Sequence, residues 1–138
     1  SDIEKLVWSE VQHSEQSGYY IRFRQKKTKG AETLPISEQA FQLLGERRKP
    51  EEKVFEGLYY SAWHNLKLRE WVMKAGITKH ITFHCARHTY ATLQITLGTD
   101  IYTVSKMLGH KDLKTTQIYA KVVDQAKRDA ADKITLDM

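Results

Sequence analysis

A chain of 138 residues with 41% hydrophobic content can close one core and is too short for two comfortable ones. Its net charge of +5 and pI near 9.3 favour a polyanionic partner, and the single Cys85 excludes an internal disulfide framework. No run is apolar enough to span a bilayer and no signal peptide precedes the first motif, so a cytoplasmic protein with no membrane partner is expected.

Residues 1–6 begin in what reads as mid-helix, with Ile3, Leu6 and Val7 at helical spacing and no cap before them, which predicts that an upstream portion is missing. Residues 19–24 alternate, Tyr19, Ile21 and Phe23 against Tyr20, Arg22 and Arg24, as a half-buried strand does. A lysine-rich turn over 25–30 leads to a second strand, 32–36, which Pro35 confines to an edge or an end. Ser37 can cap a short helix carrying Ala40, Phe41, Leu43 and Leu44 and ending near Gly45. Residues 46–53 read as a surface linker, Val54-Phe55 as a short strand or an apolar anchor. Over 60–75, Trp63, Leu66, Leu68, Trp71 and Val72 predict a long helix stopped by Gly76, its aromatics assigned to the core.

A helix is predicted from near His84 to about Leu97, with Gly98 as its stop. Thr99 or Asp100 can cap the next, whose buried stripe is Ile101, Val104, Met107 and Leu108. Gly109 reads as the residue past its end and Asp112 as the N-cap of a last amphipathic helix, with Val122, Val123, Ala126 and Ala130 on one stripe. His84 and Arg87, three apart, share a helix face and can converge on one phosphate, a proton shuttle beside a fixed charge. His110 and Tyr119 are nine residues apart, roughly 13 Å along an unbroken helix. They share a site only if the chain turns back at Gly109 and Asp112.

The order His84-Cys85-Ala86-Arg87-His88, Leu108-Gly109-His110, then Tyr119 resembles the catalytic domain of the tyrosine recombinases, also called phage-type integrases. Ala86 stands where that family often has Leu, and a small apolar residue still packs there. The resemblance implies an α+β fold, mainly helical with a small antiparallel sheet. It implies DNA cleavage and rejoining through a 3′-phosphotyrosyl intermediate, with no metal or other cofactor, in integration, excision or resolution for a mobile element or replicon. Tyr119 would be the nucleophile, Arg87 the clamp on a nonbridging oxygen, His110 a hydrogen-bond donor to the phosphate and His84 an aid to proton transfer. Lys27, eight residues before Pro35, would give a proton to the departing 5′ oxygen, with Lys26 as the neighbouring alternative. His88 is assigned a supporting, packing role.

In the family an arginine two positions before the residue matching Ser1 opens a motif, Arg-x-Ser-Glu/Asp, of which Asp2 would be the acidic member. An acidic residue favourable in a first helical turn explains Asp2 equally well. The resemblance thus assigns residues 1–138 to part of a catalytic domain, without the core-binding domain and the first arginine. Lacking that clamp, the chain is expected to be inactive or impaired, by ~3 kcal/mol if an oxyanion-hole donor is a fair comparison. Double-stranded DNA and other recombinase subunits are the implied partners. In the family the last helix often docks on a neighbouring subunit; docking within the chain is the simpler alternative and stays open here.

Three other readings compete. His80, His84 and His88 at i, i+4 and i+8 suggest a metal site, but Cys85 stands where a zincin needs Glu. A noncatalytic DNA-binding module would use Arg22, Arg24, Lys26, Lys29, Arg47 and Arg48, with strongly salt-dependent affinity. A type IB topoisomerase shares the tyrosine chemistry but relaxes supercoils.

Overall fold

The computed structural model describes residues 2–24 and 30–136. The chain divides into two compact units, Ser1–His64 and Asn65–Met138. Among the described residues, six α-helices and one three-stranded antiparallel sheet make the α+β architecture expected from the sequence. Among the described residues no helix is long and apolar enough to cross a membrane.

The first unit is built on the sheet. α1 (Asp2–Lys5) is a single turn, and a 3-10 turn over Trp8–Glu10 leads into β1 (Val11–Ser14). β1 pairs with β2 (Gly18–Arg24), which pairs in turn with β3 (Ala31–Pro35). β3 lies at an edge with Pro35 its last residue, as proline's missing N–H requires. β1 was not foreseen, because Val11-Gln12-His13-Ser14 is too polar and too short to carry an alternating pattern. The opening helix is also shorter than its spacing suggested. Ile3 is exposed, whereas Leu6 leaves the helix to form a core with Trp8, Val11 and Val54, flanked by Ile21, Phe41, Leu44 and Phe55.

The basic stretch before Val54 is knitted into this unit. Trp8 and Ser9 donate their backbone N–H groups to Glu52 and Pro50, and Val54 donates to Leu6. Arg47 donates to the carbonyls of Trp8 (3.0 Å) and Val11 (2.9 Å), while Arg48 holds those of Lys53 and Val54. α2 (Glu38–Leu43) starts at Ser37, whose Oγ accepts from the Ala40 N–H at 3.1 Å. It stacks Phe41 on Tyr19 with ring centroids 4.1 Å apart.

α3 (Ala62–Lys74) carries the chain out of the first unit. Its tryptophans do not join a core as expected: Trp63 is 55% and Trp71 69% exposed, and Val72 is the buried residue of the helix. The apolar positions 63, 66, 68, 71 and 72 spread around the cylinder, so no single face can bury them all.

The second unit packs α4 (Phe83–Thr96), α5 (Ile101–Met107) and α6 (Leu113–Asp132) together. Ala91, Val104, Leu108 and Tyr119 form its core, with Ile95 against them. Asp100 caps α5 by accepting from the Thr103 N–H and hydroxyl, and these bonds hold its carboxyl below the ordinary range. On α6 the buried residues are Thr116, Tyr119 and Val123. The stripe expected from Val122, Ala126 and Ala130 is exposed instead, Val122 by 58%. The packed half of α6 is therefore its N-terminal half.

Candidate functional site

Every residue of the His84–Tyr119 motif lies in the second unit. α4 begins just ahead of His84: the Phe83 N–H donates to Asn65 Oδ1 at 3.3 Å, and the Thr82 N–H donates to Cys85 Sγ at 3.4 Å. Cys85 thus fills the place that Glu or Gln takes in a capping box. The Thr82 backbone bond, then its side-chain bond, lowers the thiol below its ordinary value. The sulfur is half-buried and serves as a cap. His80 precedes α4, so the i, i+4, i+8 row with His84 and His88 does not exist on one helix.

His84, Arg87 and His88 occupy the first two turns of α4. The His84 and His88 rings meet edge to face with centroids 4.7 Å apart, and the His88 ring meets Tyr119 at 5.3 Å and 60°. His84 and His88 are exposed, whereas Tyr119 is 6% exposed. His88, rather than His84, is the histidine against the tyrosine ring.

Arg87 reaches across to the end of α5, where its Nη2 donates to the Leu108 carbonyl. That carbonyl is one of the orphan acceptors that every helix C-terminus presents. Here the reversal forms. Gly109, at φ +70°, donates its N–H to Lys106, and the His110 N–H reaches back to Ser105 at 3.0 Å. These two bonds make a Schellman motif, for which the left-handed φ favours glycine. Asp112 then caps α6, accepting from the Lys114 N–H at 2.9 Å.

The reversal lays α6 beside His110. His110 Nδ1 lies 2.7 Å from Thr116 Oγ1, one turn before Tyr119. Burial first, and the Arg87 charge second, push the His110 imidazole below the ordinary histidine value. Both influences favour the neutral ring. Thr116 was missed in the sequence, although its spacing of three from Tyr119 puts both on one face of α6. A β-branched hydroxyl residue inside a helix was the available signal.

The remaining expected site residues belong to the first unit or lie outside the described residues. Asp2 is in α1, 3.7 Å from Lys5 in an exposed ion pair. Arg22 and Arg24 are exposed on β2. Arg47 and Arg48 hold backbone carbonyls of their own unit. Lys26, Lys27 and Lys29 lie outside the described residues.

The model of the phage integrase family matches residues 1–126. The chain belongs to the phage integrase family. A tyrosine recombinase of Pseudothermotoga lettingae is 45% identical over 67 residues, covering 49% of this chain and 23% of that protein. The tyrosine recombinase XerA of Thermococcus kodakarensis is 35% identical over 99 residues, covering 72% of this chain and 33% of its own length. This member of the phage integrase family thus spans a third or less of those two curated relatives. The crystal structure of a XerA recombinase superposes with a TM-score of 0.72 at 26% identity, over 99% of this chain and 52% of that one. The catalytic domain of bacteriophage HP1 integrase gives 0.60 at 27% identity, over 94% and 70% of the two chains.

Proposed function

We propose that the chain carries the strand-cleaving centre of a tyrosine-type site-specific recombinase acting on double-stranded DNA in the cytoplasm. The observation that carries this reading is the reversal at Gly109 and Asp112. It gathers Arg87, His110 and the helix bearing Tyr119 into one packed unit, although 32 positions separate Arg87 from Tyr119.

The Tyr119 hydroxyl attacks a phosphodiester phosphorus. A tyrosyl O–P bond forms as the P–O5′ bond breaks, so the ester energy is kept for rejoining. Tyrosine passes its proton to His84 as it attacks, and the departing 5′ oxygen takes a proton from Lys27. Negative charge that grows on the nonbridging oxygens is met by the fork of Arg87 and by an N–H of His110. Arg87 is suited to this because its anchoring to the Leu108 carbonyl limits the guanidinium before DNA arrives. His88 holds the ring of Tyr119 from the side. Other recombinase subunits complete the assembly on DNA.

The test is covalent trapping on a nicked duplex, with this chain alone and with an upstream extension that supplies an arginine two positions before Ser1. Peptide mass spectrometry is expected to find the nucleotide adduct on Tyr119 in the extended protein. Arg87→Ala is expected to lower the yield by about 10²–10³-fold, the range for losing a preorganised donor. Binding without adduct in either version would replace this reading with a noncatalytic DNA-binding module.

A further inference from the structure

Thr116 is fully buried on α6 and has no part in the proposed reaction as described above. Its Oγ1 meets Nδ1 of His110 at 2.7 Å, while the His110 backbone is already fixed by its bond to Ser105. Two attachments leave the imidazole little freedom to rotate. Nδ1 is engaged, and Nε2 is the nitrogen left for a ligand.

A neutral imidazole carries one N–H, and the partner of one nitrogen decides what the other can do. If the Thr116 hydroxyl donates to Nδ1, the proton sits on Nε2 and His110 can donate to an anionic oxygen. If Nδ1–H donates to Thr116 instead, Nε2 presents a lone pair that repels the same oxygen. Protonation would give both N–H groups at once, but burial and the Arg87 charge oppose it. The tautomer therefore has to be selected by a neighbour.

We propose that Thr116 is a positioning residue that donates its hydroxyl proton to His110 Nδ1 and so holds the Nε2–H tautomer aimed at the scissile phosphate. The phosphate part rests on the strand-cleavage reading above; the tautomer itself does not. Thr116 stands one turn before Tyr119, so the element that carries the nucleophile also sets the donor opposite the phosphate.

The experiment is 15N NMR of histidine-labelled chain, which assigns the protonated ring nitrogen of His110, with adduct yield on nicked DNA measured in parallel in the upstream-extended protein. The wild type is expected to show protonated Nε2. Thr116→Val keeps the shape without the hydroxyl; it is expected to lose the single tautomer and to lower the yield about 10- to 100-fold, as removal of an orienting partner does. Thr116→Ser is expected to restore both. A wild-type ring protonated on Nδ1 overturns the proposal whatever the variants do, even if Thr116→Val fails to fold. Unchanged ring signals and yield in Thr116→Val overturn it as well. If wild type gives no Tyr119 adduct, the strand-cleavage reading falls and the ring signals alone decide the tautomer.

Discussion

His110 touches three different influences: a hydroxyl at Nδ1, the positive charge of Arg87, and burial under α6. Two of them act on its proton affinity in the same direction, so its native value lies below the unfolded value of 6.5. A depressed native value means that the unfolded chain binds the extra proton first as pH falls. The contribution of His110 to stability is therefore complete above about 6.5 and is lost as pH drops through the lowered native value. Thermal melts between pH 8 and pH 5 are expected to show this loss, and His110→Gln is expected to flatten the dependence. A melting temperature in His110→Gln that falls with acid as steeply as in the wild type would assign the loss to other groups. At this scale the sequence disclosed His84, Arg87, His110 and Tyr119 as a set, because their order is a pattern of residue types. It did not disclose which atoms meet. That His88 rather than His84 lies on the Tyr119 ring, and that Thr116 holds His110, are consequences of how α4, α5 and α6 pack.

The link between α5 and α6 is the element on which the site depends. Gly109 takes φ +70°, and a side chain there is strained by roughly 1–2 kcal/mol in the left-handed region. Gly109→Ala is expected to lower unfolding free energy by about that amount in a urea titration, and to reduce adduct formation more than stability alone explains, because the reversal aims His110. An unchanged denaturation midpoint would show that the reversal does not need glycine. Caps and stops of this kind were legible, since Ser37, Asp100, Asp112, Gly98 and Gly109 act through their own chemistry on the nearest turn. Burial was less so. Trp63 and Trp71 read as core by their type, yet they are exposed on α3, while the polar Thr116 is fully buried.

For the whole molecule, a net charge of +5 favours a polyanionic partner, and the proposed binding to DNA is expected to weaken as salt rises. The basic residues are not equivalent. Arg22 and Arg24 lie exposed on β2, so Arg22→Ala is expected to lower the slope of log affinity against log salt by about one unit. Arg47 is committed to the carbonyls of Trp8 and Val11. Arg47→Ala is expected to cost about 1–3 kcal/mol of stability, the range for hydrogen bonds from a charged donor, with little change in the slope. Filter binding across a salt series and a urea titration distinguish the two. Equal slopes in both variants would remove the division.

The sequence alone determined the family, the helix limits set by caps and glycines, and the edge position of Pro35. These follow from local chemistry and from the order of residue types, which tertiary structure does not alter. Only the fold decided that a third strand, β1, joins the sheet, that Arg47 and Arg48 tie backbone carbonyls, and that Thr116 meets His110. Arg47 reaches carbonyls 36 and 39 positions away, and even the shorter links, Arg48 to Lys53 and Thr116 to His110, depend on how the intervening turn folds, where packing and the pairing of buried polar groups select the partner.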